Sequence, residues 1–373
     1  QALNCAKVTK LEAKASNQQI TVEVEDYESA LTINAKVVIN ACGAWSELLK
    51  KTCLDANEAG KNKKAVMHMR PLRGSHLVIA NWRLPVASVV SIRHAQDKRP
   101  VQVYPWQNVT IVGTTDVEHQ QNMAKDAKIS QSEFDYLLAA IVQQFPDANI
   151  TEHDVISTFA GVRPVTTSEP SAAPSKEKRE HYIEQQTGLI SITGGKLTTF
   201  RLIAEQVLNI VCQQLTKSTQ NDKNNADYSQ LLIKACKLPI LSQASADLNS
   251  QFSQEINQQI MACYGEFSQA FVNQSDKSYC NPIRYSRHLW AELIWSVQFE
   301  QVQHLDDLLL RRTRIGNVLP EGARELLPKI QQLCAPYLAW NDEKWQQEKT
   351  RYIAIWRRAY SLPNGIENNT SNS

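Results

Sequence analysis

The most informative segment of the 373-residue chain reads Thr193-Gly194-Gly195-Lys196-Leu197-Thr198-Thr199. It follows a short apolar run at residues 189–193 and precedes apolar residues at helical spacing, so it predicts a strand, a turn and a helix. Paired glycines let the backbone approach a ligand closely, and free N–H groups at a helix start favour anionic or electron-rich groups. A triphosphate-binding loop is excluded, because Ile190 and Leu197 stand where that motif needs Gly and Ser or Thr. A glycine turn beside a solvated lysine is the competing interpretation.

The chain upstream of this turn alternates between predicted strands and helices. Strands are predicted at residues 20–25, 36–40, 75–79, 87–92, 100–104, 110–112 and 154–159. Helices are predicted at residues 44–51 and from the capping box Ser130-Gln131-Ser132-Glu133 to just before Pro146. Residues 251–360 are rich in Gln, Leu, Glu, Arg and Trp and are predicted to be mostly helical.

This order of strands and helices predicts an α+β core followed by an all-α C-terminal domain. A polar segment that begins at Lys217 is the best candidate for a linker between them. We expect the core at residues 1–216, the linker at residues 217–234, the helical domain at residues 235–360 and a disordered tail at residues 361–373.

Composition excludes several classes of protein. Forty Lys and Arg residues balance 38 Asp and Glu residues, and a net charge of +2 argues against nucleic acid as the main ligand. The eight cysteines form no C-x-x-C pair, and histidines at zinc spacing are absent, so we expect reduced thiols and no metal site. The sequence has no apolar run long enough to cross a bilayer and no signal peptide.

Four further motifs contain residues that could carry chemistry. Arg73-Gly74-Ser75-His76, before a predicted strand, offers a histidine suited to act as a general base, although most lone histidines are structural. Gly161-Val162-Arg163-Pro164 predicts a stiff turn whose arginine either binds a phosphate or carboxylate or lies on the surface. Gly113-Thr114-Thr115-Asp116 predicts a turn with a capping aspartate. Residues 306–314 (Asp-Asp-Leu-Leu-Leu-Arg-Arg-Thr-Arg) predict an amphipathic helix, with a membrane-surface role as the weaker reading.

Together with Val37-Val38-Ile39-Asn40-Ala41-Cys42-Gly43-Ala44-Trp45, these motifs in this order resemble the FAD-dependent glycerol-3-phosphate dehydrogenase family, within the D-amino-acid-oxidase-like group. The resemblance covers nearly the whole chain. The family usually has other residues at four positions, namely Cys42, Ala44, Arg73 and Phe200. Its G-x-G-x-x-G loop does not occur in these residues. We therefore expect an N-terminally truncated core that lacks the Rossmann unit and is inactive alone.

The resemblance implies FAD as the cofactor and sn-glycerol 3-phosphate as the substrate. A hydride would pass from C2 to flavin N5, giving dihydroxyacetone phosphate, and electrons would continue to a quinone, or to oxygen in oxidase relatives. Lys196 would stabilise negative charge on reduced flavin, Arg163 and Arg179 would hold the substrate phosphate, and His76 would be the general base. The residues implied to contact the cofactor are Val8, Ala41, Gly43, Gly194, Gly195, Lys196, Leu197 and Thr198.

The resemblance also implies a cytoplasmic protein in peripheral contact with the inner face of the cell membrane, and it allows a homodimer. Two alternatives stay open. An FAD-dependent amine or amino-acid oxidase of the same group would need no phosphate clamp, and a non-catalytic remnant would bind no FAD. The dehydrogenase interpretation depends on Arg163 and Lys196 converging on one pocket.

Overall fold

The computed structural model describes residues 3–13, 18–24, 30–53, 68–167, 180–186, 188–219 and 252–363. Contacts divide the chain into two compact units. The first unit contains residues 1–73, 116–125 and 162–238, and the second contains residues 74–115, 126–161 and 239–373. Most of the expected linker and the expected tail lies outside the described residues, so the division at residues 217–234 stays a prediction.

Regular structure occupies most of the described chain. The strands are β1 (Ala6–Ala13), β2 (Gln18–Val24), β3 (Leu31–Ala35), β4 (Val38–Asn40), β5 (His68–Ala80), β6 (Val90–Arg93), β7 (Pro100–Trp106), β8 (Val109–Gly113), β9 (Val117–Glu118), β10 (Val155–Thr167), β11 (His181–Gln186) and β12 (Leu189–Gly194). The α-helices are α1 (Ser46–Cys53), α2 (Gln131–Gln144), α3 (Phe200–Thr219), α4 (Gln254–Tyr264), α5 (Ser268–Gln274), α6 (Trp290–Phe299), α7 (Ile315–Val318), α8 (Leu327–Cys334) and α9 (Asp342–Ala359). The expected α+β core and the helical C-terminal region are confirmed.

The first unit contains two three-stranded sheets. One is antiparallel in the order β1-β2-β3. The other has the order β11-β12-β4, in which β11 is antiparallel to β12 and β4 is parallel to it. A small apolar cluster packs β1 with β4, β12 and α1 through Val8, Leu11, Val38, Leu49 and Leu189. The parallel pair β4 and β12 ends at one edge of this sheet, where the glycine turns begin.

The largest sheet has the strand order β10-β5-β8-β7-β6. The second unit contains β6, β7 and β8 with residues 74–80 of β5 and residues 155–161 of β10, whereas β9 pairs with residues 72–73 of β5 in the first unit. Successive residues of a strand point to opposite faces, so each face can bury its own apolar set. Leu77 and Ile79 pack in one cluster with Leu137 of α2. Val78, which lies between them, packs in another cluster with Leu309 and Trp345 from the C-terminal region. Helices therefore cover both faces of this sheet within the second unit.

Two motifs occupy positions that differ from those predicted. Arg73-Gly74-Ser75-His76 lies inside β5 rather than before a strand, and Gly161-Val162-Arg163-Pro164 lies inside β10 rather than in a turn. The prediction of a stiff turn around Arg163 is therefore wrong. Within the described residues β10 is the last strand of its sheet, and an edge strand tolerates proline because its outward N–H positions need no ladder partner.

Residues 306–314 were predicted to form an amphipathic helix. A helical segment with buried leucines and more exposed arginines is present there, but it is not a regular α-helix. Asp307–Arg312 is a wide helical turn with a Thr313 N–H to Leu308 carbonyl hydrogen bond of 3.0 Å. Its three leucines, Leu308, Leu309 and Leu310, are all buried, and the first two are completely inaccessible. Three successive residues point in three directions, so this turn is enclosed by its neighbours and presents no apolar stripe to a membrane. None of the described helices is long and apolar enough to cross a bilayer.

Candidate functional site

The turn after β12 requires glycine at two successive positions. Gly194 and Gly195 have φ angles of +79° and +87°, in the left-handed region that side chains disfavour. A Cβ on Gly194 would lie 2.5 Å from the carbonyl oxygen of Glu180, and one on Gly195 would lie 2.6 Å from Cδ1 of Ile203. The predicted glycine turn between a strand and a helix is confirmed, and both glycines are fixed by geometry.

Lys196 ends this turn, and a short helical turn at Leu197–Thr199 leads into α3. Thr199 Oγ1 donates to the carbonyl oxygen of Lys196 at 3.0 Å. The first N–H groups of any helix lack acceptors within that helix, so they can bind an electron-rich ligand edge. Leu197 is 88% exposed and Phe200 is 54% exposed. Both belong to the apolar pattern that predicted the helix after the turn, and the structure leaves both on the surface.

A second glycine turn lies beside the first because β4 and β12 are parallel neighbours. Their register pairs Val38 with Leu189 and Asn40 with Ser191, so both strands run toward the same edge. Ala41 and Cys42, which follow β4, are exposed, and Gly43 has a φ of +56°. Ligands of α/β sheets bind outside the carboxyl ends of parallel strands. These two turns are therefore the best candidate for a cofactor contact in the first unit.

Asn40 ties the second turn to its surroundings, a role that sequence reasoning missed. Its buried side-chain amide donates to the carbonyl oxygen of Ser46 at 3.1 Å and to Ser191 Oγ at 3.4 Å. Its side-chain oxygen accepts the N–H of Cys42 at 3.3 Å. One amide thus connects the end of β4 with β12 and the start of α1. An Asn at the end of a buried strand, before a glycine, is the signal that could have indicated this.

Arg163 lies next to Pro164 of β10, and its guanidinium Nη1 is 3.3 Å from Asp116 Oδ1. The sequence predicted that Asp116 would cap a following turn, and this prediction missed its partnership with Arg163. A Cβ built on Gly43 would lie 3.9 Å from Pro164, so β10 passes beside the second glycine turn. Arg179, the predicted partner of Arg163, lies outside the described residues.

His76 lies in the part of β5 that belongs to the second unit. Its imidazole is half-buried and stacks on Phe159, with ring centroids 4.5 Å apart and ring planes 9° apart. The role of His76 as a general base stays a prediction. Sequence reasoning did not predict that Phe159 of β10 would be its neighbour.

Ser75 and Thr115, from two of the sequence motifs, converge on one buried carboxylate. Ser75 Oγ donates to Glu133 Oε1 at 2.8 Å, and Thr115 Oγ1 donates to the same oxygen at 2.6 Å. The N–H of Ser75 in turn donates to Thr115 Oγ1 at 2.9 Å. The capping box of α2, predicted from Ser130 and Glu133, is confirmed, and its glutamate also joins these two motifs.

The other predicted cofactor residue, Val8, packs in the apolar cluster of the first unit. Two cavities of about 360 and 130 Å³ lie in the second unit, and none of the predicted site residues lines them. The larger is lined by Trp82, Asn108, Val109, Ile156, Tyr285, Val318, Leu319 and Pro320. The convergence of Arg163 and Lys196 on one pocket stays a prediction.

Comparison with known proteins identifies the family of this chain. A family model described as FAD dependent oxidoreductase matches residues 1–201, more than half of the chain. The chain belongs to this family. A second model, described as the C-terminal domain of alpha-glycerophosphate oxidase, matches residues 187–345. The family match contains both glycine turns, and the second match contains the C-terminal helices α4 to α8 and only the first residues of α9.

Two relatives from Staphylococcus aureus illustrate the similarity to curated proteins. The chain is 28% identical over 308 residues to an aerobic glycerol-3-phosphate dehydrogenase of Staphylococcus aureus (strain USA300), covering 80% of this chain and 54% of the relative. For the same enzyme of strain MRSA252 it is 28% identical over 290 residues, covering 76% of this chain and 50% of the relative. The chain therefore spans about half the length of these relatives. A solved structure of the glycerol-3-phosphate dehydrogenase from Bacillus halodurans complexed with FAD shares the fold, with a TM-score of 0.72 and 23% identity over 97% of this chain and 70% of that one.

Proposed function

We propose that the protein containing this chain oxidises sn-glycerol 3-phosphate to dihydroxyacetone phosphate by hydride transfer to FAD. One observation carries the proposal. Two glycine turns lie side by side at the carboxyl ends of the parallel strands β4 and β12, in a chain that belongs to the FAD-dependent oxidoreductases. The match of residues 187–345 to a glycerophosphate oxidase domain supports the choice of substrate.

The residues present fit the isoalloxazine and adenosine ends of such a cofactor. Ala41, Cys42 and residues 196–198 are exposed, and the glycines beside them carry no side chain that would hold a flat ring away from the backbone. When bound, FAD supplies the hydride acceptor. The residues that would hold it are Val8, Ala41, Gly43, Gly194, Gly195, Lys196, Leu197 and Thr198. The ammonium group of Lys196 favours the negative charge that accumulates on a reduced flavin.

Arg163 and Arg179 would bind the phosphate of the substrate. A guanidinium has five N–H donors in a planar fork that matches phosphate oxygens, and Nη1 of Arg163 lies 3.3 Å from Asp116 Oδ1. Asp116 holds one side of the fork in place, which reduces the conformational entropy that Arg163 loses when an anion binds.

His76 would accept the proton of the C2 hydroxyl group. Removing that proton pushes electron density onto C2, so the hydride leaves C2 as the carbonyl bond of the product forms. The proton then rests on His76 and returns to solvent after the product leaves. Neutral imidazole is the form that performs this step.

We further propose that electrons pass to a quinone and that the protein acts in the cytoplasm, in peripheral contact with the inner face of the cell membrane, with a homodimer as its assembly. This part rests on the family resemblance. Because no described helix can span a bilayer, contact through the described residues would be at the membrane surface.

Anaerobic titration of the whole FAD-loaded protein tests the reaction. Glycerol 3-phosphate should bleach the flavin absorbance, and Arg163→Lys should raise the KM for this substrate about tenfold or more, because lysine keeps the charge and loses the fork. Arg93→Lys is the matched control, since Arg93 is an exposed β6 residue whose Nη1 donates to the carbonyl oxygen of Lys98. Bleaching by amines but not by glycerol 3-phosphate would replace the proposal with an amine or amino-acid oxidase.

A further inference from the structure

His76 lies between two neighbours on adjoining strands of its sheet. In the strand order, β5 has β8 on one side and β10 on the other. On the β8 side, His76 is directly opposite Gly113 in the antiparallel register. On the β10 side, the ring of Phe159 is stacked against the imidazole at 4.5 Å, nearly parallel to it. Both neighbours belong to the second unit, as His76 does.

Gly113 leaves the space that the imidazole occupies. A Cβ at this position would lie 2.2 Å from His76 Cδ2, 2.8 Å from Cγ and 2.9 Å from Nε2. These distances are far inside van der Waals contact. The φ of Gly113 lies outside the left-handed region, so its backbone alone does not demand glycine. The requirement for glycine comes from the histidine ring.

Phe159 limits the imidazole from the other side. A stacked aromatic pair gains dispersion and quadrupole energy only while the rings stay nearly parallel, so rotation of His76 about its side-chain bonds would lose that contact. The Nδ1 atom of His76 is buried in this arrangement. The imidazole therefore fits in one orientation, in which it fills the space beside Gly113 and stacks on the ring of Phe159.

We propose that Gly113 and Phe159 are positioning residues that fix the orientation of the His76 imidazole for its role as a general base. The catalytic consequence rests on the function proposed above, whereas the positioning itself concerns only these three residues. Proton transfer needs the accepting nitrogen within hydrogen-bond distance of the hydroxyl group, and a displacement of about 1 Å can cost about a hundredfold in rate. The Gly113 of the motif Gly113-Thr114-Thr115-Asp116 thus acts through His76 rather than through a turn.

The positioning can be measured by NMR on the chain itself, without activity. Histidine ring protons are recorded with ¹³C-labelled histidine, and His76→Asn assigns the His76 signals among the eight histidines. Protons above an aromatic face are shielded, so the His76 ring signals should lie upfield. Gly113→Ala should move them strongly, because the added methyl group overlaps Cδ2. Gly161→Ala is the matched control, since a Cβ there meets nothing within 4 Å.

A second variant keeps the test decisive if Gly113→Ala does not fold. Phe159→Leu removes the stacked ring and should shift the His76 signals downfield, while Phe145→Leu, in the cluster around α2, should leave them unchanged. Unchanged His76 signals in either folded variant, Gly113→Ala or Phe159→Leu, would overturn the positioning role.

Kinetics on the FAD-loaded whole protein then connect the ring to the reaction. Gly113→Ala should lower kcat for glycerol 3-phosphate about tenfold or more, with a smaller change in KM, and Gly161→Ala should change neither. A wild-type protein that does not oxidise glycerol 3-phosphate, but whose His76 signals respond as expected, would refute the proposed function and leave the positioning intact. Moved signals with an unchanged kcat would overturn the catalytic consequence alone.

Discussion

The buried carboxylate of Glu133 accepts hydrogen bonds from three residues of the second unit, Ser75, Thr115 and Ser130. Ser75 and Thr115 hydroxyl groups donate to Oε1, and the N–H and hydroxyl group of Ser130 donate to Oε2 at 3.0 and 2.8 Å. The Glu133 residue is 3% exposed. Removing a buried acceptor with this many donors is costly. Each donor would stay buried without a partner in the folded state, whereas water would hydrate it in the unfolded state. Glu133 thus binds the side chain of Ser75, the residue that precedes His76 in β5.

Glu133→Ala should therefore destabilise the protein by about 3 kcal/mol, and Glu133→Gln should cost less, since the amide keeps one accepting oxygen. Chemical denaturation followed by circular dichroism measures both. Asp135→Asn on the exposed side of α2 is the control and should change stability by less than about 0.5 kcal/mol. Equal stability of Glu133→Ala and the control would show that these hydrogen bonds contribute nothing net.

At the scale of strands and helices, the sequence predicts best what depends on neighbouring residues. Ser130 and Glu133 form their capping box within one turn of chain, and the glycine turn at Gly194 follows directly from its own strand and helix. Whether Gly161 and Pro164 interrupt a strand depends instead on pairing with a distant segment. Local preference predicts a break there, and pairing in the sheet overrides it by placing proline on an edge strand.

The candidate site divides in the same way. The glycine turn at Gly194-Gly195 was predicted from its local sequence, and Gly43 was named only through the family resemblance, whereas the adjacency of the two turns depends on the parallel pairing of β4 with β12. The contact between Arg163 and Asp116 joins residues 47 positions apart, and no local pattern indicates it. The burial of Leu308, Leu309 and Leu310 was missed because a run of leucines gives the same local signal on a surface helix and in a core.

The turn after β12 offers a test that separates backbone strain from steric overlap. Gly194→Ala should cost about 3 kcal/mol, because it combines a left-handed φ with overlap on the carbonyl oxygen of Glu180. Gly265 has a φ of +53° and a ψ of −120°, and a Cβ there would meet nothing within 4 Å, so Gly265→Ala should cost only the backbone strain of about 2 kcal/mol. Denaturation midpoints of the two variants give the comparison. A cost at Gly194 no larger than at Gly265 would mean that β11 and β12 separate easily and that the turn adapts.

At the scale of the whole molecule, the C-terminal helices share a core with strands far away in the sequence. Val78 of β5 and Val109 and Ile111 of β8 are buried in one cluster with Leu305 and Trp345. The main chain makes the same connection, since the N–H of Thr158 in β10 donates to the carbonyl oxygen of Tyr360 at 2.7 Å. The C-terminal region therefore belongs to one compact unit with residues 74–115 and 126–161, and it does not form a unit by itself.

This grouping predicts the behaviour of the helical region in isolation. Residues 235–373, expressed alone, should retain helix in far-ultraviolet circular dichroism but bind a hydrophobic dye and melt without a cooperative transition, because the side chains that face Val78 and Ile111 would be open to water. The intact chain is the control and should melt cooperatively. Helices in proteins gain most of their stability from packing an apolar face against a partner, and here β5 and β8 supply part of the partner surface. A sharp transition with fixed aromatic signals in the isolated fragment would instead support the helical domain at residues 235–360 as an independently folding unit.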